Sequence, residues 1–173
     1  MNLDMKKGGI ELTITLQEVN EEEVHILRNL YSLYLHDLSS FTENIVLGKD
    51  GSFHFDDIEM FWNVEGLTPF FLKYEDEIIG FLLLLERPFL KKEMDFGVND
   101  IFILNKFRRK GLGKQILEKL FKEKPGKYFV IELLENKSAV LFWKKVYKQL
   151  NIEIEERKEL IDDEHCLIQT FRV

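Results

Sequence analysis

The residues best suited to chemistry are Arg108-Arg109-Lys110-Gly111-Leu112-Gly113 and the following Lys114, a basic turn between two apolar stretches. Gly111 and Gly113 remove side chains where a ligand would approach the backbone, and the free N–H groups of a helix's first turn point at whatever sits there. An anion is the natural occupant, because a helix N-terminus carries about half a positive charge. The segment 106–114 adds five cationic side chains and no acidic one, in a chain whose net charge is −7. Two familiar phosphate loops fail here. A Walker loop requires glycine where Arg108 stands and Ser or Thr where Gln115 stands. The dinucleotide fingerprint requires three glycines after the first strand of a βαβ unit, whereas only Gly111 and Gly113 occur here, far into the chain.

The flanking residues set the elements that position this turn. Val98, Ile101 and Ile103 belong to an apolar strand over residues 95–104, and Leu112, Ile116, Leu117, Leu120 and Phe121 recur at helical spacing after it. Upstream, residues 10–16 alternate as a half-buried strand. A helix follows, capped by Asn20 and opened by Glu21, Glu22 and Glu23, with an apolar face of Val24, Ile26, Leu27, Leu30, Tyr31, Leu33, Tyr34 and Leu38. Residues 39–67 are irregular, with a short helix over 56–62, and mix Phe53, Phe55, Phe61 and Trp62 with Asp56, Asp57 and Glu59. Strands over 69–74 and 78–86 form a hairpin about Glu75-Asp76-Glu77, and the second, apolar on both faces, belongs in the middle of a sheet. Downstream come a strand over 128–134, a helix from Asn136 to Tyr147 with Ala139, Leu141, Phe142, Val146 and Leu150 as core candidates, and strands over 152–157 and 167–173 joined at Asp162-Asp163. His36 and Asp37 are neighbours on a helix and point apart, which speaks against a catalytic pair.

With 173 residues, 45% of them apolar, the chain suits a single domain with one sizeable core, residues 1–9 forming a loose tail. The longest apolar run, 78–85, is interrupted by Gly80 and too short to span a bilayer, and no signal peptide is visible, so a cytoplasmic protein without membrane contact is expected. The single Cys166 excludes an internal disulfide and a cysteine zinc cluster, and no metal is expected. The acidic balance argues against nucleic-acid binding and suits a cationic substrate.

Arg108-x-x-Gly111-x-Gly113 resembles the pyrophosphate-binding signature of the GNAT N-acetyltransferases, and Asn136-x-x-Ala139-x-x-Phe142-Trp143 resembles their second signature, about 25 residues on and likewise after a strand. The resemblance covers residues 10–173. It implies an α/β (α+β) GNAT fold: a mixed, mostly antiparallel twisted sheet of 6–7 strands with about four helices, whose fourth and fifth strands run parallel and splay. It implies acetyl-CoA as co-substrate, with its pyrophosphate on Arg108, Arg109, Lys110, Gly111, Leu112, Gly113 and Lys114. The acetyl-pantetheine arm would lie against Ile101, Phe102 and Ile103, and Asn136, Phe142 and Trp143 would flank it. The acceptor is then a primary amine, of a small molecule or a protein and cationic. The protein itself would be a monomer or homodimer. Asp100 stands where many members carry an acid that takes the ammonium proton. The usual leaving-group acid, a Tyr after the Phe of the second signature, is replaced by Trp143, leaving Tyr147 one turn on as a substitute, or no acid at all. The alternative is a catalytically weak acetyl-CoA-binding sensor.

Overall fold

The computed structural model describes residues 13–173. Seven strands, β1 (Ile14–Glu18), β2 (Leu67–Tyr74), β3 (Glu77–Glu86), β4 (Phe96–Ile103), β5 (Lys127–Leu133), β6 (Ile154–Ile161) and β7 (Glu164–Arg172), form one sheet in the order β1-β2-β3-β4-β5-β7-β6. Every pairing is antiparallel except β4 with β5, which is parallel. Helices α1 (Val24–Leu38) and α2 (Met60–Asn63) cover one face, and α3 (Leu112–Glu123) and α4 (Lys137–Leu150) the other.

Local chemistry accounts for most boundaries. The Asn20 N–H and side-chain amide both donate to Glu23, which opens a single 3-10 turn (Glu21–Glu23) leading into α1. The β2–β3 and β6–β7 hairpins turn through two-residue loops, Glu75-Asp76 and Asp162-Asp163, all at positive φ, as tight hairpin turns require. The central strand β3 is buried from Ile79 to Leu85, with Leu82 and Leu84 facing α3 and Phe81, Leu83 and Leu85 facing α1.

Three sequence expectations shift. Among the described residues the first strand runs from Ile14 to Glu18, past the expected end at residue 16; residues 10–12, like the expected tail over 1–9, lie outside the described residues. The short helix is α2, at the end of the expected 56–62 span. Helix α4 buries Trp143, Val146 and Tyr147, whereas Leu141, expected inside, is 67% exposed. Val146 is buried and Phe142 and Leu150 pack against the core as expected, and the stripe extends to Trp143 and Tyr147 because these two large aromatics fill the space beneath the helix.

Two irregularities position the site. β4 and β5 pair only at Phe96↔Tyr128, Gly97↔Phe129 and Val98↔Val130, after which the strands part. The ladder of β3 with β4 skips a residue: Leu84 faces Val98 and Leu83 faces Asp100, so Asn99 is a bulge. Phe96 and Val98 pack with α3 and α4, yet after the bulge it is Ile101 and Ile103 that continue on that face. Asp100 and Phe102 are thereby turned to the α1 face.

Candidate active site

The glycine turn has the geometry the sequence predicts, with a different reason for each glycine. Gly111 is the N-cap of α3 at φ 77°, and an added Cβ would meet open space. Its conformation is the left-handed one that glycine adopts without steric cost. A Cβ at Gly113 would instead lie 2.8 Å from the Phe142 ring, so this glycine lets α3 and α4 approach each other. The first backbone bond of α3 runs from Gln115 N–H to Gly111 C=O at 3.2 Å, leaving the N–H groups of residues 112–114 without a backbone partner among the described residues.

The cations of the turn divide into two sets. Arg109 and Lys110 are exposed and form no ion pair among the described residues, and Lys114 lies 3.7 Å from Glu118. Arg108 is engaged elsewhere: its Nε donates to Ile103 C=O at 2.5 Å and its Nη2 to Asp37 at 2.6 Å. Leu112 is part of the core.

Beyond the bulge, Leu104 N–H bonds to Ile79 C=O on β3. Alternation along an antiparallel ladder then turns the peptide groups of Ile101 and Ile103 toward the opening beside β5. On the α1 face, the Asp100 carboxylate accepts hydrogen bonds from Tyr31 Oη (2.8 Å), Tyr34 Oη (2.7 Å) and Asn99 Nδ2 (2.9 Å). Burial raises both phenol pKa values well above the ordinary tyrosine range, and the adjacent Asp100 charge raises them further, so both hydroxyls keep their protons and act as donors. The tyrosines are braced in turn, Tyr31 stacking between Phe55 (4.9 Å) and Phe81 (4.4 Å). The sequence marks Tyr31 and Tyr34 only as apolar-face residues; their partner lies 69 and 66 positions away and no local pattern points to it. The segment that mixes aromatic with acidic residues sends Ile58 and Phe61 into the core, while Glu59 pairs with Arg28 at 2.5 Å.

On the α4 side, Asn136 caps the helix, its Oδ1 accepting from Ala139 N–H at 3.2 Å and Ser138 Oγ at 2.9 Å. Phe142 is half-buried and meets Trp143 edge-on at 5.6 Å. Trp143, expected as a wall of the arm's channel, is 3% exposed and stacked on Tyr147, so it belongs to the core. The expected role of Tyr147 is also disfavoured. Its hydroxyl donates to Gln169 Oε1 at 2.8 Å, Gln169 donates to Glu156, and burial with the nearby Glu132 and Glu156 charges pushes its pKa upward. A proton so held is a poor one to deliver to a leaving thiolate.

The Acetyltransferase (GNAT) family profile matches residues 27–147. The chain belongs to the GNAT acetyltransferase family. An acetyltransferase from Thermus thermophilus superposes with a TM-score of 0.65 at 17% identity over 94% of this chain and 98% of its own. The aminoglycoside acetyltransferase AAC(6')-Ib, in complex with coenzyme A and kanamycin, gives 0.62 at 17% identity over 92% and 95%. A chimera of the spermidine N-acetyltransferase SpeG from Vibrio cholerae and hSSAT gives 0.59 at 13% over 92% and 95%. No curated protein matches the chain in sequence. These neighbours share the fold of this GNAT acetyltransferase. A concavity of about 930 Å³ at the C-terminal ends of α3 and α4, lined by Lys122, Leu150 and Arg172 among others, contains none of the site residues.

Glu132 is the anomaly of this GNAT domain. It lies on β5 past the last β4 pair, is 6% exposed, and neither carboxylate oxygen has a hydrogen-bond partner among the described residues. Burial, with Glu156 on β6 adding to it and Lys144 on α4 opposing it, raises its pKa to about 7. Its folded value lies above its unfolded one, so the folded state holds a proton that the unfolded chain releases. Stability is therefore full below the unfolded value and is lost as pH rises through about 7. Glu132→Gln should stabilise the protein by about 1–3 kcal/mol at pH 8 and by close to nothing below about pH 4.5. Urea unfolding at both pH values measures this, and an equal effect at both would show that the carboxyl is not ionising in the core.

Proposed function

We propose that the chain transfers the acetyl group of acetyl-CoA to a primary amine on a cationic small molecule. The observation that carries this reading is the parting of β4 from β5 between the Gly111 turn and the Asp100 carboxylate. The pyrophosphate is assigned to the N–H groups of residues 112–114 with Arg109, Lys110 and Lys114, since unpaired donors at a helix start bind anions. The amide-bearing arm is assigned to the peptide groups of Ile101 and Ile103, added as a strand would be, with Asn136 and Phe142 on its other side. Asn136 Nδ2 makes no hydrogen bond among the described residues, which suits an amide carbonyl as its partner.

Asp100 faces α1, and there it would hold the incoming ammonium and receive its proton, directly or through water. The amine nitrogen then forms its bond to the thioester carbon, the carbon–sulfur bond breaks to release the thiolate, and the second proton lost from nitrogen passes to that thiolate or to water. N–H groups at the Asn99 bulge would polarise the carbonyl oxygen. A cationic acceptor suits the net charge of −7 and the chemistry of fold neighbours named for spermidine and aminoglycosides.

Thiolate departure is assigned no protein acid, because a free thiol's pKa near about 8.5 makes unaided departure modest in cost. Tyr147→Phe should accordingly leave kcat within about threefold of the parent. It should lower stability by about 1 kcal/mol, through Gln169 left without its donor. A loss above about tenfold in kcat at unchanged coenzyme affinity would instead make Tyr147 the acid.

The absence of an exposed Tyr beside Phe142 favours a second reading, a catalytically weak acetyl-CoA sensor. Thiol release from acetyl-CoA with spermidine, kanamycin and a lysine peptide as acceptors separates the two. Release above the rate without acceptor supports catalysis; tight coenzyme A binding without release supports the sensor, and neither overturns both.

A further inference from the structure

We propose that Arg108 is a positioning residue for the acceptor side of the site and not a ligand of the coenzyme's phosphates. It ties the end of β4 and the glycine turn to Asp37 of α1, and through α1 it fixes the hydroxyls that hold Asp100. This rests on the reading of Asp100 as the group that receives the amine.

Three contacts define the plane of the guanidinium. Nε donates to Ile103 C=O at 2.5 Å, Nη2 donates to Asp37 Oδ2 at 2.6 Å, and Cζ lies 5.3 Å from the centre of the Phe102 ring. An exposed ion pair alone contributes about 0–1 kcal/mol. A guanidinium shared among a carbonyl, a carboxylate and an aromatic face is different, because its rigid fork is satisfied in only one orientation. That orientation turns two of its donors away from the phosphate turn.

Both ends of this strut lead to the same tyrosine. Asp37 follows Tyr34 by three residues, so the two occupy one stripe of α1 a turn apart. Phe102, beneath the guanidinium, packs against Tyr34 at 6.0 Å and against Phe81 at 5.7 Å. Tyr34 in turn gives Asp100 its shortest hydrogen bond, 2.7 Å. Arg109, Lys110 and Lys114 remain to meet the coenzyme's charge, so the turn does not need Arg108 for that purpose.

The test compares the full chain with Arg108→Gln, Asp37→Asn and the double variant. Coenzyme A affinity, by isothermal titration, should stay within about twofold in all three. Amide hydrogen exchange over residues 33–38 should quicken by about tenfold in each single variant and no further in the double, as for two ends of one contact. With spermidine as the probe acceptor, both single variants should raise its KM or lower kcat by about fivefold while the KM for acetyl-CoA holds. A loss of coenzyme A affinity above about tenfold in Arg108→Gln that Asp37→Asn does not share would overturn the proposal, as would parent-like exchange of α1 in both. A parent that neither binds coenzyme A nor releases thiol would count against the proposed function alone, since the exchange measurement uses no ligand.

Discussion

Gly111→Asp should abolish coenzyme A binding and leave the protein folded. Gly111 sits at φ 77°, and the nearest atom to an added Cβ is Gln115 Nε2 at 4.0 Å, so an aspartate finds room. The left-handed backbone costs a side chain about 1 kcal/mol, and aspartate tolerates it better than most. Its carboxylate then stands where the first-turn N–H groups of α3 converge, occupying the donors and repelling the pyrophosphate. We expect a weakening of at least about 100-fold, or about 2.7 kcal/mol, by isothermal titration. Gly111→Ala carries the backbone cost without the charge and should bind within about fivefold of the parent. Equal binding by the aspartate and alanine variants would place the phosphates elsewhere.

Asp100→Asn should lower kcat/KM by about 10²–10⁴-fold and leave coenzyme A affinity unchanged, the scale of a positioned acid or base. Both oxygens of Asp100 accept from hydroxyls that keep their protons. An asparagine offers one acceptor and one donor in their place, so one tyrosine loses its partner and the counter-charge for an ammonium disappears. The rise of rate with pH should flatten in the variant. An unchanged pH–rate profile would move the base elsewhere, but the candidates are poorly placed: Glu132 packs on the α4 side, and Glu59 is paired with Arg28.

The legible parts of this chain are those whose signal is local. All five apolar positions expected in the helix after the glycine turn, Leu112, Ile116, Leu117, Leu120 and Phe121, are buried in α3, because periodicity alone determines which stripe of an amphipathic helix turns inward. The parallel, parting β4 and β5 are as the resemblance of the two signatures to the GNAT family implies. What escapes depends on distant partners. Nothing in Phe96-Gly-Val-Asn-Asp100 marks Asn99 as a bulge, since no proline or bulge glycine occupies it and the skipped residue is defined only against β3. Arg108 reads as one cation among several, and only the fold brings Asp37, 71 residues earlier, to its guanidinium. The polar layer beneath α4, where Tyr147, Gln169 and Glu156 form a chain beside Glu132, is hidden because each residue sits on a different element.

The bulge at Asn99 makes the two faces of this enzyme's site depend on one residue staying out of the ladder. Changing a side chain on β4 alters what stands at a position but never the side of the sheet on which it stands. Losing Asn99 itself would set Asp100 directly after Val98 in regular alternation, so the aspartate would still face α1 and the isoleucines α3 and α4; drawing Asn99 into the ladder opposite Leu83 would instead turn the aspartate to α3 and α4 and the isoleucines to α1. Chemistry and coenzyme edge would exchange faces in a single step, with every amino acid of the site still present. A relative one residue shorter between β4's start and the glycine turn would therefore keep both the signature and the site where the residue it lacks is the bulge.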